Sequence, residues 1–449
     1  VASEKKSALE RALSLVTRVE AGEGATALLL TLNVFLLMTA YSAIKPVREG
    51  LILVLKSGAE YKSIMGGAIA FALLFAVPAY SRFADRAPRN KLVVGVTLFF
   101  VSNLVLFWLV SAIPSVRTRL GLVFYVWLGV FNMMVVAQFW AFANDIYREE
   151  QGKRLFPLLG VGQTVGAVVG AALAVLLVDM IGVYPMLLAA SVILAGSALL
   201  TQVVHLRTVG DKPPASDAAP TEEKKPDRSG AFALVLRSRY LTYIAIFSLL
   251  FTFVNSNGEY MLSRLLKGAA DSQVAAGTLS PDKVKEYITG AYGRFQLFTN
   301  IATVGLQTFV VSRLVRVGGL KVAFFVLPAI ALSDAVGVAA FPILTVLFIG
   351  KIAENATDYS VNNTVRNMLW LPTTREMKYK AKQAIDTFFV RMGDVSSAAL
   401  VIVGSGVMGL GVRAFAIVNI VLCGAWVLLA VLILRGYARL SAEQGPSPS

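Results

Sequence analysis

Apolar runs long enough to cross a bilayer recur along the whole of this 449-residue chain. A spanning helix takes about 20 predominantly apolar residues. Runs of that kind fall at 25–55, 64–83, 91–113, 120–146, 155–179 and 184–206, and again at 238–266, 285–314, 320–340, 342–370, 377–409 and 411–436; they are numbered here as spans 1 to 12. Only 15% of the residues are charged, against about 25% in soluble domains, so a soluble globule is excluded. The expected fold class is an all-α polytopic membrane protein with 12 transmembrane helices.

Punctuation between the runs gives the organisation. Residues 1–24 mix Glu and Lys with apolar side chains and predict an amphipathic surface segment on the cytoplasmic side; they lack the apolar core and cleavage site of a signal peptide, and the initial Val implies a trimmed start. The first six-helix half is 25–206. Prolines and mixed charge then mark 207–237 as a polar cytoplasmic linker before the second half, 238–436, and a disordered tail, 437–449. Basic residues collect after span 2 (Arg82, Arg86, Arg89, Lys91) and after span 8 (Arg313, Arg316, Lys321). Lys and Arg favour cytoplasmic loops, which places both termini in the cytoplasm. The formal net charge of +15 is therefore read as topology plus an anion path, with no nucleic acid as partner. One cysteine and one histidine exclude a disulfide and a His/Cys metal cluster.

The halves repeat one another. YSRFADRAPRNKL at 80–92 pairs with VSRLVRVGGLKV at 311–322, and YSAIK at 41–45 pairs with NSNGE at 255–259. Two pseudo-symmetric six-helix halves follow. The FADRAPRNK loop resembles that of the major facilitator superfamily, whose members meet substrate near the midplane, mainly with spans 1, 4, 5, 7, 8, 10 and 11.

Interior charges fall on those same spans; spans 2, 3, 6, 9 and 12 hold few, with Asp334 in span 9 the clearest exception. Span 1 places Lys45, Arg48 and Glu49 beside Pro46, with Leu51–Leu55 continuing apolar beyond. Span 7 has Glu259 and Arg264; span 8 has Arg294. Span 10 carries Lys351, Glu354 and Asp358, and span 11 carries Lys378, Lys382 and Asp386 at offsets of four, then Arg391 and Asp394. Charges in hydrocarbon are costly and mark a functional route by default. The structural alternative is a set of local ion pairs such as Lys351 with Glu354 or Lys382 with Asp386. Tyr41, Tyr292, Phe295, Phe139 and Trp140 offer faces for a base, or simple packing. Gly162, Gly166, Gly170 and Ala174 form a small face for close helix approach; GVGQTVG lacks the spacing of a phosphate loop, and no Walker motif suggests an ATPase.

Four segments resemble the ATP/ADP translocase (nucleotide transporter) family of plastids and intracellular bacteria. IKPVREGL at 44–51 is similar to LRDTKDTL, so Arg48 matches a family lysine and Lys45 the preceding arginine. FWAFANDIYREEQGKRLFPLLGVGQTVG at 139–166, with Asn144 and Arg154, is similar to the FWxFAN...AKRFYPLFG segment. EYMLSRLLK at 259–267 matches EVTWKSKLK, with Glu259 on its acidic residue, and KYKAKQAID at 378–386 matches KVKGKAAID, with Lys382 on its lysine. The chain departs from the pattern twice: 120–138 contains no Asp or Glu, and Asn367 replaces the glutamate of KEMAYIPL.

The resemblance implies ATP/ADP-type exchange by alternating access, and the Ala, Val and Gly richness without an Arg/Ser-rich transit peptide favours a bacterial inner membrane over a plastid. Lys45, Arg48, Lys382 and Arg154 would compensate phosphate charge, and Glu259 would hold an ion pair that substrate exchanges. Tyr41, Asn144, Arg294, Asp386 and Arg391 complete the candidate substrate-binding set. The protein would be no enzyme, use no cofactor or metal, and work as a monomer. A proton-coupled carrier of another phosphorylated or organic anion, and a nucleotide sensor without transport, share these features.

Overall fold

The computed structural model describes residues 6–14, 17–84, 89–209, 228–374 and 377–443. The greater part of the central linker (210–227), the end of the tail (444–449) and residues 85–88 of the FADRAPRNK loop lie outside the described residues. Helix covers every apolar run, and no strand occurs among the described residues.

The first helix, α1 (Ala8–Leu13), is short and starts on a reciprocal cap: the Glu10 N–H donates to Ser7 Oγ (3.2 Å) and the Ser7 N–H to the Glu10 carboxylate (2.7 Å). The other Glu10 oxygen accepts from the Gly22 N–H at 2.7 Å. The Ser7 backbone bond, with these others, holds the Glu10 carboxyl below the usual carboxylate range. Next come α2 (Gly24–Leu53), α3 (Gly58–Ala84), α4 (Arg89–Val110), α5 (Pro114–Ile146), α6 (Glu149–Ile181) and α7 (Pro185–Val209). Pro114 opens α5, where its missing N–H leaves no bond unmade, and Gly182 closes α6 with φ 78°. Pro46 sits inside α2 without ending it.

Further on are α8 (Arg228–Arg237), α9 (Arg239–Ala275), α10 (Val284–Gly305) and α11 (Val311–Ala340). Gly319, at φ 64°, turns the chain within α11, at the gap between spans 8 and 9. Span 10 is α12 (Leu344–Thr357) and α13 (Asn363–Met368); span 11 contains α14 (Lys382–Ala384) and α15 (Val390–Val401); α16 (Val412–Glu443) is last. Wide π turns interrupt these later helices at Leu306–Val310, Asp358–Asn362, Met377–Ala381, Ile385–Phe389 and Ile402–Val407. Among the described residues nine helices are long and apolar enough to cross a membrane, Pro281–Ala340 being taken whole across Gly319. The protein is an all-helical, multi-pass membrane protein.

The chain divides into two units. One is formed by Val1–Leu55, Ala68–Ala219 and Ser280–Leu297, the other by Lys56–Gly67, Pro220–Leu279 and Phe298–Ser449. In the first, Phe100, Phe107, Phe124, Trp127 and Phe131 of α4 and α5 form a run of edge-to-face and stacked rings. Helices α2 and α6 meet through the glycine face. A Cβ on Gly162, Gly166 or Gly170 would fall on the carbonyl oxygen of Thr31, Phe35 or Thr39, the first at 2.6 Å. Only a residue without a side chain admits that approach, so the small face is a packing device. In the second unit Phe247 stacks on Phe324 at 4.9 Å and meets Trp426 edge-on at 5.5 Å. Asn257 Nδ2 donates to Asn419 Oδ1 at 2.6 Å, which ties α9 to α16.

Candidate functional site

In the first unit the span 1 candidates lie on the stretch of α2 beyond the glycine contact. Neighbours close in tightly here: a Cβ on Gly50 would strike Thr289 Oγ1 and the Lys285 carbonyl, and one on Gly121 of α5 would strike the Leu51 carbonyl. Arg48, with 13% of its side chain exposed, donates through Nε (3.0 Å) and Nη2 (2.5 Å) to Glu49, and its guanidinium lies 4.2 Å from the Tyr125 ring centroid. A buried carboxylate and an aromatic face thus fix a cation that hydrocarbon would reject. Tyr41, two turns earlier, rests against Phe131 at 6.1 Å, and Lys45 is half-buried between Tyr41 and Arg48 along the helix. Asn144 and Arg294 are exposed.

Arg154 has a different setting. Its guanidinium forks onto Glu23 at 2.9 and 3.0 Å, reaches Glu20 at 3.4 Å and donates to the Arg18 carbonyl at 3.0 Å. Thr17 donates to the Arg154 carbonyl, and Gln151 to Glu23 at 3.1 Å. Burial alone would raise the Glu23 carboxyl, but the Arg154 bond and its companions hold it below the usual carboxylate range. Arg154 therefore ties the segment before α2 to the start of α6. The sequence shows its basic character and its neighbour Lys153, but not the acidic partners more than a hundred residues earlier.

In the second unit Glu259 of α9 pairs with Lys62 of α3 at 3.2 Å and accepts from Asn355 of α12 at 3.3 Å. Lys62, only 8% exposed, is not marked out by the sequence: it lies just before the run that begins at 64 and looks like a flanking charge. A fully buried Lys351 meets Glu354 at 3.1 Å, the local pair anticipated, and donates to Asn255 Oδ1 at 2.7 Å.

Span 11 departs from the simple offset-of-four picture. Lys382 does not reach Asp386. It donates to Asn367 Oδ1 at 2.9 Å, while Asp386 pairs with Arg366 at 3.0 Å. The pairing of Asp386 is instead across to α13, and two π turns, Met377–Ala381 and Ile385–Phe389, flank α14 here. Arg391 pairs with Asp394 at 3.1 Å, and Asp394 also accepts from Ser256 at 2.7 Å. Lys382 is thus held by a neutral amide, the residue at which the sequence departs from the translocase pattern.

Residues 112–437 match the family described as TLC ATP/ADP transporter. The ADP,ATP carrier protein 1 of Chlamydia trachomatis serovar D is 24% identical over 357 residues, covering 70% of this chain and 65% of that protein. The ADP,ATP carrier protein 1 of Rickettsia conorii is 21% identical over 431 residues, covering 82% and 83%. The chain thus spans just under two thirds of the chlamydial relative. Among solved structures, nucleoside transporter NupG superposes with a TM-score of 0.62 at 13% identity, over 91% of this chain and 98% of that one. A bacterial homologue of the iron transporter ferroportin, inward-facing, gives 0.62 at 13% identity over 92% and 98%. These likenesses establish a fold of the major facilitator type, and the family match covers well over half of the sequence: the chain belongs to the TLC ATP/ADP transporter family.

Proposed function

We propose that this chain exchanges nucleotides, ATP-type against ADP-type, across a bacterial inner membrane by alternating access, with both termini cytoplasmic and the monomer as the working unit. The observation that carries this reading is the cation set on membrane helices of a nucleotide-carrier family. Arg48 is braced by Glu49 and Tyr125, and Lys382 is held by the uncharged Asn367. A cation facing only an amide keeps its charge for a polyanion, and a guanidinium fixed in a fork suits phosphate oxygens. Lys45 adds charge one turn from Arg48, and Tyr41 offers a ring on the same helix. Glu259 is the acidic member whose pair with Lys62 is remade during the cycle. Arg154, with its partners Glu20 and Glu23, serves to hold the segment before α2 rather than substrate. No covalent step is involved, and the substrate crosses unchanged.

The test is uptake of labelled ATP into proteoliposomes preloaded with ADP, beside ADP-free vesicles and an Arg48→Ala variant. Uptake that depends on internal ADP and is lost in the variant supports exchange through span 1. If ATP neither enters nor protects the protein against thermal unfolding, the adenylate reading fails.

A further inference from the structure

The second unit gathers an unbalanced set of charges, all but Glu259 buried. Three carboxylates, Asp334, Glu354 and Glu259, surround two ammonium groups, Lys351 and Lys62. Lys351 is 0% exposed and Glu354 4%. The two ammonium groups are committed: Lys351 to Glu354 and Asn255, Lys62 to Glu259. Glu259 has a further donor in Asn355. Fully ionised, the set would carry one negative charge in excess in the protein interior, where an uncompensated ion costs several kcal/mol.

Asp334 of α11 is the member that the surroundings do not support as an anion. It is 9% exposed, and its Oδ1 is buried without a hydrogen-bond partner. That oxygen lies against Gly350 of α12, so close that a Cβ on the glycine would collide with it. The titratable groups facing Asp334 are Lys351 and Glu354 from α12 and the buried Cys423 thiol from α16. The π turn after α12 brings Asp358, which accepts from Asn362 at 2.8 Å, and α13 brings Arg366, which is paired with Asp386. None of these donates to Asp334 Oδ1.

The geometry points to a proton-binding site at Asp334: the carboxyl takes one proton from solvent and is held as the neutral acid, leaving the set of five groups with no net charge. Neither the Lys351–Glu354 pair nor the Lys62–Glu259 pair is disturbed by that protonation. Protonation of Asp334 is independent of which anion the protein carries and gives a role to a span 9 residue that takes no part in substrate binding.

Infrared difference spectra of the purified protein in lipid nanodiscs, between neutral and alkaline pH, test this without any substrate. The expected result is a carbonyl band of a protonated carboxylic acid at neutral pH. That band should shift when aspartate carboxyls carry ¹³C and lose one carboxyl of intensity in Asp334→Asn. In Lys351→Gln, which removes a compensating charge, the intensity should increase by one further carboxyl. A neutral-pH band that ignores the aspartate label, that persists undiminished in Asp334→Asn, or that is missing from the wild type would overturn the assignment. Should Asp334→Asn fail to fold, the Lys351→Gln gain decides: no gain overturns it.

Discussion

The Lys62–Glu259 pair can be weighed by a double-mutant cycle. Unit charges 3.2 Å apart attract by about 5 kcal/mol at an effective dielectric of ~20. Desolvation offsets part of that, because Lys62 is almost wholly buried while about a quarter of the Glu259 side chain meets solvent. A net coupling of about 2 kcal/mol remains. Glu259→Gln strands a buried ammonium and should cost about 3 kcal/mol, roughly 5–10 °C of melting temperature. Lys62→Met should cost less, since Glu259 keeps the Asn355 amide at 3.3 Å and lies near Lys351. The assay is thermal unfolding of the wild type, both single variants and the double variant in one detergent at one pH. A cycle that closes to within about 0.5 kcal/mol would show that the two residues do not act as a pair, and the reasoning would be refuted.

Three further outcomes are expected. Arg48→Lys keeps the charge but loses the fork on Glu49 and most of the contact with Tyr125, so ATP uptake by proteoliposomes should show a KM raised by about 5–10-fold, for ~1–1.5 kcal/mol; an unchanged KM would remove Arg48 from the binding set. Asn367→Glu sets a carboxylate beside Lys382 and should weaken uptake about 2–5-fold, the partly exposed pair being worth ~0.5–1 kcal/mol, with Asn367→Asp weaker in effect and Asn367→Gln near wild type; equal loss in Asn367→Gln would mean that shape, not charge, is at work. The Glu23 carboxyl is held low in the folded state, so its contribution is present above the unfolded carboxylate pKa and is lost as pH falls through the lower, folded value; limited proteolysis before α2 should rise over that acid window, and Glu23→Gln should show the raised cleavage already at neutral pH.

Much of the architecture was readable because a bilayer allows few solutions. Each apolar run of about 20 residues must be helical to satisfy its own backbone, and the structure places helix on all of them. The glycine face at 162, 166 and 170 was equally plain, since its four-residue spacing has one geometric meaning. Side-chain partners were harder to read. The Lys351–Glu354 pair could be anticipated because it is local, whereas Lys62–Glu259 and Arg154–Glu23 join residues 197 and 131 apart, and single-sequence periodicity holds no record of such pairs. Asp386 pairs with Arg366 of α13 and not with Lys382, a contact between neighbouring helices that spacing along one helix does not announce. Asp334 stood out as a span 9 charge, but its meaning depends on Gly350 lying against it, a fact of packing between helices.

The glycine contact has a mechanical consequence. Three successive turns of α6 receive the carbonyls of Thr31, Phe35 and Thr39, and the Thr39 hydroxyl also donates to the Gly166 carbonyl at 3.3 Å. Sliding α2 along α6 by less than a full turn would carry those carbonyls off the glycine positions that admit them. The two helices are therefore geared: whatever tilts α6 tilts Tyr41, Lys45 and Arg48 by the same angle, and a spectroscopic label on the accessible face of α6 should report the motion of cations it never touches.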